Sequence, residues 1–199
     1  YTYQWSTGSI LQNVLGLSAG TYNVIVKDVN NCIDTASFNL IDPPAISFTF
    51  TSSNILCNGD NTGQISAIVS GGCGINPNSY QWSDVNGPIA GATSTNISSL
   101  FAGNYILAAT DSNGCPGQGS ITLTEPASIT IVTTTTDPLC HGGNDGSASA
   151  IVSGGVAPYI YQWNDPNFQT TPIATNLDAG NYTVTITDDN GCPTTASDT

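Results

Sequence analysis

Apolar and polar residues alternate along this chain in short runs with the two-residue period of β-strands. In Tyr1-Thr-Tyr-Gln-Trp5 and Tyr159-Ile-Tyr-Gln-Trp163 the aromatics occupy every second position and so share one face. Segments 46–51 and 129–132 alternate or run β-branched, as edge strands do, and 64–69 and 147–152 read as the strands that follow. Gly71-Gly72 and Gly154-Gly155 stop that second pair. Further strands are predicted over 105–110, 120–124 and 182–187. Asp111-Ser-Asn-Gly114 and Asp188-Asp-Asn-Gly191 predict tight hairpin turns, because Asn-Gly suits two successive positive-φ positions. No window sustains a helical period, so the chain reads as all-β.

The chain also repeats itself. Cys57-Asn-Gly-Asp-Asn-Thr-Gly63 and the strand running on to Gly72 recur 83 residues later, from Cys140 to Gly155. Leu-x-Ala-Gly-x-Tyr ends at Tyr22, Tyr105 and Tyr182, and Tyr-Gln-Trp ends at Trp5, Trp82 and Trp163. Asn-Gly-Cys closes two copies at Cys115 and Cys192, and Asn30-Asn31-Cys32 closes another. Pro-containing joints, Asp42-Pro43-Pro44 and Glu125-Pro126, separate the copies. The expected units are 1–44, the C-terminal part of a truncated repeat; 45–127, a complete repeat; and 128–199, a nearly complete one. The first opens in mid-strand, so Tyr1, Tyr3 and Trp5 face the place of strands supplied either upstream or by a neighbouring chain.

Several short strands in roughly 83 residues, one inward Trp and regularly spaced turns predict tandem immunoglobulin-like β-sandwiches. Trp5, Trp82 and Trp163 are then core residues. Tyr22, Tyr105 and Tyr182 are core aromatics in the setting of a tyrosine corner, where the hydroxyl bonds back to nearby backbone.

Charge narrows the function classes. Only 8% of residues are charged, with Lys plus Arg at 1 and Asp plus Glu at 14, for a net charge of −13. A single Lys27 cannot neutralise a row of phosphates, which argues against nucleic acid and anionic membrane surfaces. No run reaches the roughly 18 apolar residues of a membrane span, so membrane insertion is not expected. The one histidine, His141, is replaced by Asn58 in the middle copy, so no repeat-wide activity can use it. The scattered Asp residues fall in turns and joints, where solvation accounts for them. No catalytic residue and no resident cofactor are expected. Six Cys beside one His point to disulfides and an oxidising, extracellular compartment.

The motif order Cys-x-Gly-x-x-x-Gly, strand, Gly-Gly, Tyr-x-Trp, Leu-x-Ala-Gly-x-Tyr, Asp-x-Asn-Gly-Cys, Pro resembles the SprB-type repeat. That repeat takes its name from a very large gliding-motility adhesin of Bacteroidota and occurs in long tandem arrays of secreted surface proteins. The departures are the extra Cys73, a lengthened Gly-Gly loop in the middle copy, and Asn31 in place of the turn glycine before Cys32. The resemblance implies a surface-exposed, secreted adhesin or filament, and it brings no catalytic residues.

Disulfide candidates are Cys32, Cys57, Cys115, Cys140 and Cys192, with Cys73 unpaired or joined to a partner chain. Pairing inside each repeat, Cys57–Cys115 and Cys140–Cys192, leaves no orphan when repeats are added and is the favoured scheme. Cys32–Cys57 with Cys115–Cys140 across the Pro joints, and Cys57–Cys192 between a low loop and the top turn of the next sandwich, stay open. Against the favoured scheme, the first loop and the last hairpin of an ordinary sandwich lie at opposite ends.

Asp111, Asn113, Asp188 and Asn190 offer oxygens for calcium at loop tips, set against a plain turn-stabilising role. Thr35, in Asp-Thr-Ala, resembles a bacteroidotal O-glycan signal, and Asn96 and Asn181 begin N-linked sequons. The function expected from all this is reach, display and attachment. Neighbouring repeats or identical chains in a fibre are the expected partners, and surface polysaccharide or glycans are candidate ligands. The rival reading is an accessory, carbohydrate-binding module of a larger secreted hydrolase.

Overall fold

The computed structural model describes residues 1–74 and 79–198, which form sixteen β-strands and no helix. Strand pairing never crosses residues 41–46 or 124–129. The middle segment holds two antiparallel sheets. One consists of β4 (Ser47–Ser53), β5 (Gly63–Ser70) and β8 (Asn96–Leu100), in the order β4-β5-β8. The other runs β10-β9-β6-β7, from β6 (Gln81–Asp84), β7 (Gly87–Pro88), β9 (Gly103–Thr110) and β10 (Pro116–Leu123). In sandwich lettering these are A-B-E and G-F-C-C′, an immunoglobulin-like arrangement with a short extra edge strand.

The third segment repeats the plan. Strands β11 (Thr130–Thr136), β12 (Gly146–Ser153) and β14 (Ile173–Leu177) make its A-B-E sheet. Strands β13 (Ile160–Trp163), β15 (Tyr182–Thr187) and β16 (Pro193–Asp198) make its C-F-G sheet. The first segment has a C-F-G sheet only: β1 (Thr2–Trp5), β2 (Gly20–Lys27) and β3 (Ile33–Leu40).

Each complete pair of sheets encloses its own core. In the middle segment Ile65, Ala67 and Leu100 face Trp82, Tyr105, Leu107 and Leu123. In the third, Ala148, Ala150, Ala174 and Leu177 face Trp163, Val184 and Ile186. Burial of each valine, leucine or isoleucine among them stabilises the fold by about 1.5–3 kcal/mol. Trp82 and Trp163 are fully enclosed. Their Nε1–H groups donate to the carbonyls of Ser94 and Thr171, each at 2.9 Å, so the indole dipole is satisfied inside the core.

Trp5, Tyr22 and Tyr182 are only half-buried, contrary to the expectation of core residues, Tyr182 packing against the third core from outside it. The segment of Trp5 and Tyr22 supplies one sheet only, where Trp5 lies beside Phe38 with ring centroids 6.1 Å apart. Trp5 still donates to the Leu11 carbonyl at 2.9 Å, as its two counterparts do to theirs.

The tyrosine corner occurs three times. The hydroxyls of Tyr22, Tyr105 and Tyr182 donate to the carbonyls of Ser18, Phe101 and Asp178 at 2.8, 2.9 and 3.0 Å. Gly71 and Gly154 close the B strands at φ +90° and +79°. A Cβ there would collide with the carbonyls of Ala45 and Ser128, so only glycine admits the joint so close to the sheet.

Candidate functional site

The FG turns are built alike. In the third segment Asp188 Oδ1 accepts the N–H groups of Asn190 and Cys192 at 3.0 and 2.9 Å. Its Oδ2 accepts Val156 N–H of the BC loop at 3.0 Å. In the middle segment Asp111 does the same for Asn113, Cys115 and Cys73, at 2.9, 2.9 and 3.1 Å. Both carboxylates are buried, and these N–H donors hold them below the usual carboxylate range. For Asp111 the Cys73 amide is the largest cause, followed by Cys115. For Asp188 it is the Cys192 amide, opposed by burial and helped by Val156 and Asn190.

The calcium reading of Asp111, Asn113, Asp188 and Asn190 therefore meets carboxylates whose oxygens already serve backbone donors. Among the described residues no group of three or more His, Cys, Asp and Glu is placed to hold a metal ion.

The turn so formed projects Asn190 and Cys192 toward the AB loop of the middle segment. There Cys57 to Asp60 make a turn closed by Asp60 N–H on the Cys57 carbonyl at 3.2 Å, with Gly59 at φ +80°. Ile55, buried in the middle core, anchors the loop at its base. Cys57 and Cys192 form a disulfide, with Cα atoms 5.6 Å apart and a sequence separation of 135. Asn190 Nδ2 donates to the Leu56 carbonyl at 2.8 Å beside it.

The same loop grips the joint. Asn58 Nδ2 donates to Glu125 Oε1 and to the Pro126 carbonyl, both at 3.0 Å, and Gly59 N–H donates to Glu125 Oε2 at 2.7 Å. From the other side, Gly155 N–H donates to the Ala127 carbonyl at 2.8 Å. The connection between the two sandwiches is thus fixed by a covalent bond, a two-armed carboxylate clamp and a backbone bond.

This pairing corrects the favoured within-repeat scheme, and the register explains why. Gly63, at the start of β5, lies opposite Leu100, at the end of β8, and the chain enters β9 three residues later. The AB loop and the start of F therefore share one end of the sandwich, and the FG turn lies at the other. Cys57 cannot reach Cys115 of its own repeat, but it meets the FG turn of the next. Cys32, Cys73, Cys115 and Cys140 carry free, exposed thiols. The Cys115 thiol is pushed up by the neighbouring Asp111 charge.

The other singled-out residues lie away from this junction. Thr35 on β3, Asn96 at the start of β8 and Asn181 beside β15 are exposed, and Asn96 Oδ1 accepts the Ser66 hydroxyl at 2.6 Å. His141 is exposed in the AB loop of the third segment. The sequence reading placed Glu125 in a joint but missed its clamp with Asn58 and Gly59; the acidic residue before Pro at both joints was the signal for the carboxylate. It also missed Asp165, fully buried in the turn after β13.

The SprB repeat family model matches residues 49–87 and 132–168. No curated protein matches the chain. Among solved structures, the three N-terminal domains of the bacteriophage RB49 highly immunogenic outer capsid protein are similar at 18% identity, with a TM-score of 0.45. This chain is covered over 77% of its length and that one over 58%. The N-terminal eight Ig domains of Down syndrome cell adhesion molecule isoform 1.30.30 align at 12% identity and a TM-score of 0.43. They cover 98% of this chain, which spans 31% of theirs. The two segments matched by the SprB repeat model are those in which Cys-x-Gly, Gly-Gly and Tyr-Gln-Trp recur in the same order, so the chain is similar to that repeat at both.

Proposed function

We propose that this chain is a non-enzymatic segment of a secreted surface adhesin or filament, in which successive sandwiches are coupled end to end. In such an array each AB-loop cysteine would bond the FG-turn cysteine of the next repeat, as Cys57 bonds Cys192. The observation that carries this reading is the Cys57–Cys192 bond together with the Glu125 clamp across the joint. Cys140 stands where Cys57 stands, and Cys32 and Cys115 stand where Cys192 stands, so the same bond can recur wherever a further repeat adjoins. A disulfide and a surface with one cation among 199 residues suit an oxidising exterior. The partners are neighbouring repeats, and the hydroxyl-rich faces would meet surface polysaccharide.

The test is made on cells that produce the protein. Antibody raised to residues 45–198 should label intact cells, and deletion of this region should lower attachment. His141→Ala should leave attachment unchanged. Labelling only after permeabilisation, or loss of a hydrolytic activity with His141→Ala, would overturn the reading.

A further inference from the structure

Cys73 has no counterpart in the other copies: the position two residues after Gly71 is Val156 in the third segment. In the fold it lies against the FG turn of its own repeat. Its N–H donates to Asp111 Oδ2 at 3.1 Å while Cys115 N–H donates to Asp111 Oδ1 at 2.9 Å, so one carboxylate holds both cysteines. The residues on either side of Cys73 are fixed to the same turn. A Cβ on Gly72 would lie 2.8 Å from Asp111 Cβ, and the Gly74 carbonyl accepts Ser112 N–H at 2.8 Å and Ser112 Oγ at 3.0 Å. Both thiols are free and exposed. A disulfide bridges Cα atoms roughly 4.4–6.8 Å apart, and the shared Asp111 carboxylate brings the two cysteine backbones together at one turn.

We propose that Cys73 and Cys115 form a disulfide inside the middle repeat, joining its BC loop to its FG turn. With a low-molecular-weight disulfide as oxidant, one cysteine thiolate attacks it and releases one thiol, leaving a mixed disulfide on the protein. The second cysteine then attacks that protein sulfur and releases the other thiol. Two cysteine thiols are oxidised and one disulfide reduced. The bond needs no neighbouring repeat. Its consequence rests on the proposed coupling: Cys115 occupies the place of Cys192, so Cys73 competes with an AB-loop cysteine for it. A repeat already coupled through Cys115 would be released when the Cys73 thiolate attacks the Cys115 sulfur, one S–S bond replacing another and the proton passing to the freed thiol.

The test uses the 199-residue chain and oxidised glutathione, followed by alkylation, peptic digestion and mass spectrometry. The expected product contains a linked Cys73–Cys115 peptide pair, with Cys32 and Cys140 alkylated or glutathionylated. Cys73→Val, which places the third repeat's own residue there, should leave Cys115 open to alkylation or a glutathione adduct. Cys73 and Cys115 both carrying alkyl or glutathione groups, or Cys115 linked to a second chain, would overturn the proposal. So would a protected Cys115 in Cys73→Val. The Cys57–Cys192 peptide is read in the same digest, and its absence counts against the coupling reading alone.

Discussion

At the scale of single residues, the two enclosed indoles and the corner tyrosines decide how each sandwich closes. Trp82 fills the middle core and meets Phe50 in a tilted arrangement, with centroids 5.8 Å apart, while its N–H is satisfied by the Ser94 carbonyl. Trp82→Ala removes that volume from a close-packed site and should destabilise the middle sandwich by about 3–5 kcal/mol, measured by urea unfolding. Tyr105→Phe keeps the ring and removes only the bond to the Phe101 carbonyl, so about 0.5–1.5 kcal/mol is expected. Equal losses for the two variants would mean that the corner hydroxyl, not ring burial, sets the stability. Asp165 belongs to the same scale. Burial pushes its carboxyl up, and the side-chain amide and N–H of Gln169 and the N–H of Asn167 outweigh it, holding it below the usual range.

At the scale of elements, the FG hairpins depend on charge. Asp111 and Asp188 have lowered folded values because backbone amides bond to the ionised form. An unfolded Asp titrates near 3.9. Their stabilising contribution is therefore complete above about pH 4 and is lost as pH falls through the lower folded value. The melting temperature should drop in that acid window, and Asp111→Asn with Asp188→Asn should lower it at neutral pH while flattening the acid slope. An unchanged slope in the double variant would assign the acid loss to other carboxylates.

These hairpins were legible in the sequence because Asp-x-Asn-Gly-Cys fixes turn, cap and strand start within five residues. The E strands were not legible. Asn96–Leu100 and Ile173–Leu177 break their own alternation with a bulge, Ser99 and Asn176 standing at φ +60° and +57° where the B-strand register shifts. The disulfide partner stayed one of three open pairings for a different reason. Cysteine spacing gives sequence distance only, and the end of the sandwich on which a loop emerges is settled by the pairing of B with E. The clamp was hidden further, because Asn58 becomes His141 in the next copy and Glu125 reads as an ordinary joint residue.

At the scale of the whole molecule, the issue is whether two sandwiches on a short joint behave as one body. Across the joint the two sandwiches are linked by Cys57–Cys192, the Glu125 clamp and the Asn190 bond. Exposed hydrogen bonds of this kind contribute on the order of 1 kcal/mol each and exchange readily with water. The disulfide acts differently. With the middle sandwich folded, it closes a loop from the joint to Cys192, and confining the unfolded third segment should be worth about 4 kcal/mol in the chain-entropy model. Cys57→Ser should thus lower the melting temperature of the third sandwich and leave the middle one nearly unchanged. Small-angle scattering of the same variant should show a larger radius of gyration and a broader distribution of interatomic distances, as the two bodies swing about residues 124–129. Glu125→Gln in the oxidised protein should change neither greatly, since the covalent link remains, but combined with Cys57→Ser it should add to the swing. A Cys57→Ser protein whose scattering curve and third-sandwich melting match the parent would show that the joint is stiff without its bond, and the coupling proposed for the array would lose its mechanical basis.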